Sequence, residues 1–409
     1  MTADSIPLGG LQLKHPPAGR ELRHPWTPSI QTMALILLAQ IVCSAPVLRW
    51  SKRFGGDIDS SPVLSDDRKT LYLGSYDHIL YALDTATGSV RWKYTAGLEY
   101  YIIDRSTPVL SKDGHVIYAA SMVGAGNGNL YAIRAIDGVP LWNVTLNAEG
   151  GMLLAPPAVG AEGDVLYTAG QDGKVYAVHA GSGKLEWTAQ CGAREINGRP
   201  AVSRDGRSIY VGSMDANLYA LDRSGKLQWS HATGDGIPTS ATVSASGDLV
   251  YFSSNDGYLY AVHAADGQLR WKYLAPEDRE LPGPPIHAFT QPILSRDGRA
   301  VIAGNGMGEA GDGRVFWLDA HNGTALHRSH KVGSLSATPA LSRQGGEVYI
   351  GSDAFFTDEL YAFSTVDGST LWSYKIDTLP TEVVGSVAVD GDGGLYFGNA
   401  AGVLFALDI

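Results

Sequence analysis

A segment of the form Gly-Ser-x-Asp-x-x-Leu-Tyr-Ala-Leu-Asp, then a Gly turn, then Trp, returns along most of this chain. No other feature narrows the fold as much. Residues 74–92 read GSYDHILYALDTATGSVRW, 170–187 read GQDGKVYAVHAGSGKLEW and 212–229 read GSMDANLYALDRSGKLQW. The closing residue recurs at Trp92, Trp142, Trp187, Trp229, Trp271, His327 and Trp372, at intervals of 42 to 56 residues, and Trp50 stands 42 before Trp92. Each unit is near the length of a four-stranded propeller blade.

The grammar inside a unit fits such a blade. An apolar strand such as SSPVLS leads through a short turn to a second strand such as LYLGS, then LYALD, a Thr-Gly turn and the strand ending in Trp. Inner-strand equivalents are SSPVL, STPVL, APPAV, GRPAV, TSATV, TQPIL, ATPAL and GSVAV, which makes eight blades. Fifty Gly and 20 Pro against 18% charged residues suit a chain of many tight turns, and β-branched and aromatic residues fill the runs between them. The sequence therefore predicts an all-β, eight-bladed β-propeller of four-stranded antiparallel blades over residues 46–409. The eighth unit stops at Ile409 without an outer strand, while Pro46–Trp50 resembles an outer strand with no blade of its own. Pairing the two closes the ring and removes the open sheet edges.

Packing explains why the residue types repeat. A small residue at Ala82, Ala132, Ala177, Ala220, Ala261, Ala362 and Ala406 leaves room for a large one between blades. Trp50, Trp92, Trp142, Trp187, Trp229, Trp271 and Trp372 are the expected docking residues, each able to bury about 150–250 Å². Gly88 and its equivalents provide the positive-φ turn before the outer strand. Blade six departs from the pattern: Trp317 stands at the alanine position and His327 at the tryptophan position, an exchange read as volume compensation.

Residues 1–32 show no sustained apolar period and predict a disordered tail. Residues 33–45, MALILLAQIVCSA, have the length of a signal-peptide core and are too short for an integral membrane span. Val42 and Gln40 precede Cys43 where a lipoprotein would carry a small and an aliphatic residue, so lipidation there is not expected. The segment points to secretion, the periplasm or a secretory lumen; a cytoplasmic protein follows if it is no signal. A net charge of −11 argues against nucleic acid as a partner. Cys43 and Cys191 cannot make a disulfide framework or a thiolate zinc site.

The pattern GSxDGxLYALDxxTGxxxW resembles the tryptophan-docking repeat of pyrroloquinoline-quinone-type β-propellers, over residues 46–409. That family contains quinoprotein dehydrogenases and scaffold proteins like the bacterial outer-membrane assembly factor BamB. The dehydrogenase branch implies an aromatic platform for the quinone, a calcium site and a disulfide of adjacent cysteines. None of these can be assembled from the residues here, so neither a catalytic residue, a cofactor nor a metal site is assigned. His321, His327 and His330 lie close in sequence, yet turn and packing roles account for them better than a metal does. The run Asp390–Gly394 coincides with a hairpin turn, which explains it better than a calcium loop.

Loop lengths carry the remaining information. Insertions fall at residues 96–105, 121–129, 273–290, 305–313 and 353–358, and the repeat grammar places all five on one face. Long loops gathered on one face of a rigid ring mark a binding surface. Tyr100, Tyr101, Phe289, Phe355 and Phe356 supply aromatics, and Arg105, Arg194, Arg199 and Arg279 supply anchors. Neighbouring acids such as Glu99, Asp104, Glu277, Asp278 and Asp358 favour a basic partner. The reading is a monomeric, non-catalytic scaffold binding a protein or peptide, of the BamB type. A quinoprotein-like enzyme and a small-molecule or carbohydrate-binding propeller are the alternatives.

Overall fold

A strand of five or six residues with alternating Tyr, Leu and Ala cannot bury both faces alone; it needs hydrogen-bonded neighbours beside it and another sheet above and below. The computed structural model satisfies that need with eight antiparallel sheets. It describes residues 45–95, 101–102, 107–123, 128–146, 153, 155–276, 288–307, 313–352, 359–376, 383 and 385–409. The tail and signal-peptide core expected over residues 1–45 fall, apart from Ala45, outside the described residues.

Blade one is typical. Val63–Leu64, Thr70–Ser75, Ile79–Asp84 and Val90–Thr95 pair in chain order from the channel outwards. The inner strands of all eight blades, from Val63–Leu64 to Ala388–Val389, are only two residues long, as the crowding around a central channel requires. Blades two and six depart from four strands. A short extra strand, Tyr101–Ile102 or Ala288–Phe289, pairs with the far end of an eight-residue second strand, Val116–Val123 or Ala300–Met307.

Closure follows the expected scheme. Val47–Arg53 runs antiparallel to Val403–Asp408 and becomes the outer strand of blade eight. Arg49 clamps the seam: its guanidinium donates to Asp408 and, at 2.7 Å, to the Tyr396 hydroxyl. The Asp408 carboxylate raises the Arg49 pKa, so the clamp stays charged.

The blades are joined by a three-residue row crossing strands two, three and four. In blade one it is Tyr72, Ala82 and Trp92, each opposite the next. The alanines are fully or almost fully buried, and the Tyr and Trp rings lean over them with centroids 5.8–6.1 Å apart in seven blades. The indole then lies against the next blade's turn glycine. At Gly88, φ is 67° and an added Cβ would sit 2.8 Å from the Trp50 ring, so glycine is required twice over. One carbonyl of that next blade receives both aromatic groups. Trp92 Nε1 and Tyr72 Oη both donate to Ala135 O, at 3.0 and 3.2 Å. Trp50 and Tyr396, from opposite ends of the chain, likewise share Thr85 O.

Blade six shows what the row is for. Its members are Ile302, Trp317 and His327, in the same register. The exchange is three-way: losing the Tyr ring makes room for an indole at the alanine position. Trp317 is 1% exposed, and a Cβ on Gly368 would meet it at 3.3 Å, against 2.5–2.8 Å for the docked indoles of the regular interfaces. The Trp317 Nε1–H has no acceptor among the described residues. A cavity of about 580 Å³, lined by Trp317, His327, Thr365 and Val366 among others, remains at this seam. Blade eight has no hairpin linking its two outer strands, and the Trp372 Nε1–H also lacks an acceptor there.

Two stability measurements test this account. Deleting residues 46–50 should lower the melting temperature far more than deleting 1–30, and Trp50→Ala alone should cost about 3 kcal/mol. In blade six, the triple change Ile302→Tyr, Trp317→Ala, His327→Trp should raise the melting temperature by restoring the row. His327→Trp alone should lower it, because two indoles then compete for one seam.

Candidate interaction face

The turns before each inner strand and those between strands two and three lie at the same end of the channel. Eight residues, one per blade, ring its mouth: Ser61, Thr107, Pro156, Arg199, Ser240, Gln291, Thr338 and Ser386. The ring is stitched sideways. The amide of Ser386 donates to Ser61 Oγ, that of Ser61 to Thr107 Oγ1, and that of Arg199 to Ser240 Oγ. This lateral bonding fixes the inner strands despite their shortness. It also places Arg199 at the channel rather than on an outer loop where a partner's surface would find it.

Around the mouth stand fixed carboxylates. Asp77, Asp172, Asp215 and Asp256, at the turns between strands two and three, accept from Tyr81, Tyr176, Tyr219 and Tyr260 at 2.5–2.8 Å. Burial, with the adjacent carboxylate second, pushes the Tyr81, Tyr219 and Tyr260 phenols far above their ordinary range, so they remain donors. Each Tyr occurs four residues after its Asp, a spacing that is visible in the repeat but was not singled out by the motif reading. The pairs give this face a preorganised negative pattern.

Blades two and six, which carry the extra strands, sit four places apart in a ring of eight and so face each other across the channel. Of the residues expected to meet a partner, Tyr100, Arg105, Phe355 and Phe356 lie outside the described residues, as does Arg279. Tyr101 is placed by its backbone alone, opposite Val123. Phe289 requires a correction. It is fully buried between blades five and six, with Tyr273 and Phe316 rings 6.2 and 5.8 Å away. An aromatic in an insertion can pin that insertion to the rim, and Phe289 does so; it offers no surface to a partner. Arg194 is exposed and reaches the Met214 carbonyl and Glu195.

The other chemistry-bearing residues have structural partners. Arg270 donates to His321, and His330 Nδ1 is 2.9 Å from Thr370 Oγ1. Asp390 Oδ1 accepts from the amides of Asp392 and Gly394, and Oδ2 from Tyr396, so the carboxylate serves its turn. No group of three or more His, Cys, Asp or Glu able to hold a metal occurs among the described residues. No helix among them is long and apolar enough to cross a membrane. Cys191 is buried, and burial, with Asp215 second, pushes its thiol up to about 12.

These features define a tryptophan-docked, eight-bladed propeller with an acid-rimmed, loop-bearing face. The sequence matches the family described as "Outer membrane protein assembly factor BamB" over residues 44–153, 152–374 and 280–409, and the chain belongs to that family. It is 25% identical over 280 residues to the outer membrane protein assembly factor BamB of Moranella endobia, covering 66% of this chain and 64% of that protein. The chain thus spans slightly less than two thirds of that relative's length. A quinohemoprotein alcohol dehydrogenase, ADH IIB of Pseudomonas putida, is 26% identical over 232 residues, covering 52% of this chain and 32% of the enzyme. The crystal structure of BamB from Moraxella catarrhalis superposes with a TM-score of 0.65 at 19% identity, covering 89% of this chain and 100% of that one. At that identity it supports the fold alone.

The state of Cys191 gives a direct check. In the folded protein it should resist alkylation at mildly alkaline pH and become reactive only on unfolding; rapid labelling of the native protein would show an open, ionisable thiol instead.

Proposed function

We propose that this protein is a non-catalytic interaction scaffold that docks a protein partner on its loop-bearing face, as an accessory factor in outer membrane protein assembly. What carries the reading is the place of every long insertion in the repeat, each falling between strands whose ends meet at one face of the ring. A ring held by indole wedges is rigid, so it can present loops in fixed relation without contributing chemistry. The anchored carboxylates of Asp77, Asp215 and Asp256 suit a partner with exposed Lys or Arg, whereas Asp172 is already paired with Lys174. Family membership supports the outer-membrane-assembly setting, and in this reading the protein works in the periplasm with the apolar segment 33–45 as its export signal. The working form is a monomer, with Tyr100, Tyr101, Arg105, Phe355 and Phe356 as the contact residues.

The dehydrogenase relative favours one rival reading. It predicts that added pyrroloquinoline quinone and calcium would restore dye-linked alcohol oxidation; the scaffold reading predicts no turnover.

The decisive experiment is a pull-down from outer-membrane assembly extracts. Phe355→Ser with Phe356→Ser should abolish capture of the partner while the melting temperature stays unchanged. Capture that survives both substitutions would remove this site.

A further inference from the structure

The regular seams close on one kind of backbone carbonyl, that of the residue just past strand three of the next blade. The indole N–H of Trp50, Trp92, Trp142, Trp187, Trp229 and Trp271 donates to it at 3.0–3.1 Å. A tyrosine hydroxyl of the same row reaches that oxygen in five of these seams, at 3.0–3.5 Å. In blade seven the place belongs to Thr365, which follows the strand Glu359–Ser364. Ile302 and His327 stand where its two aromatic donors would be, and no donor to the Thr365 carbonyl is found among the described residues. Trp317 fills part of the seam without replacing that bond, since its own Nε1–H has no acceptor there. The socket has kept its acceptor and lost its donors.

Beside Thr365 the space is open. The cavity of about 580 Å³ at this seam lies between the hairpin turns of blades six and seven, and Thr365 lines it. Those turns are at the end of the ring opposite the Asp–Tyr pairs. Trp317, Leu326 and Val366 give the cavity apolar walls, and Leu326 and Val366 are 45% and 77% exposed. The charges that border it are engaged: Arg296 donates to the Arg343 carbonyl, and Arg299 faces Asp297 at 3.8 Å. The volume is in the range of small-molecule sites, and apolar walls with a few placed polar groups are their usual composition. Water can solvate the Thr365 carbonyl but leaves Leu326 and Val366 uncovered. The equivalent sockets show what satisfies both demands, namely a flat ring with one N–H at its edge.

We propose that the seam between blades six and seven binds a small neutral heteroaromatic of the indole type, its ring against Leu326 and Val366 and its N–H donated to the Thr365 carbonyl. This site rests on nothing in the scaffold reading, because it lies at the other end of the ring from the docking face. Either can fail without the other.

Indole is the probe, with benzofuran as the analogue of the same shape that lacks the N–H. Calorimetric titration of the full chain should give saturable indole binding, and benzofuran binding at least about fivefold weaker, ~1 kcal/mol. The triple change Ile302→Tyr, Trp317→Ala, His327→Trp refills the socket from within and should abolish the indole signal. A crystal of the full chain soaked in indole should show the ring between His327 and Thr365, its nitrogen at hydrogen-bond distance from the Thr365 carbonyl. That soak decides the matter should the triple variant not fold. Four results would each overturn the proposal: no indole binding by the native chain, benzofuran as tight as indole, undiminished binding by the folded triple variant, or indole seated elsewhere in the crystal.

Discussion

The wedge of an indole between one sheet and the next is the interaction on which this molecule depends. Each blade is a small twisted sheet that could not persist alone. The Tyr-Ala-Trp row gives it an apolar flank, and the neighbouring turn accepts that flank on a glycine with no side chain in the way. The shared carbonyl adds direction: Tyr hydroxyl and Trp nitrogen converge on one oxygen, as at Ala135 and Thr85. Hydrophobic burial drives the blades together, and the bonds fix how far each turns against the next. Because the row spans strands two to four, a change at one position must be answered at the other two.

Blade six is the natural test of that coupling. Tyr, Ala and Trp have become Ile302, Trp317 and His327 together, and the indole now fills the seam from one strand further in. Volume is roughly retained but polarity is not, since the Trp317 nitrogen is stranded and a cavity opens at the rim. The indole–tyrosine row is intact in the seams on either side, at Trp271 with Tyr251 and at Trp372 with Tyr349. Closure by Val47–Arg53 has a similar character. The last blade borrows a strand, and Arg49 supplies a charged clamp in place of the hairpin that other blades possess.

A rigid ring separates support from recognition. Alternate faces of the same sheets build the core, while the described strand ends that lead into the insertions of blades two, six and seven meet at one end. The extra strands in blades two and six extend the second strand outward and bind each insertion's root to the sheet. Phe289 belongs to this support, which is why its ring is inside. The channel is bordered instead by the two-residue inner strands of all eight blades.

The repeat alone determined the fold class, the blade count, the docking residues and the closing strand. Those features follow from local periodicity and from the volume a Trp-Ala-Gly set must fill, which a linear text displays directly. The same text placed Phe289 and Arg199 among exposed loop contacts, and the tertiary structure moved one into a seam and the other to the channel. Whether an aromatic in an insertion faces solvent or a neighbouring blade depends on how the insertion returns to the sheet. Whether an Arg has a counter-charge depends on residues from other blades, brought near only by ring closure. The coupled replacement of Tyr by Ile302 had the same origin, since strand two meets strand three only through pairing. Spacing along the chain encodes what repeats; three-dimensional proximity decides what each departure from the repeat can do.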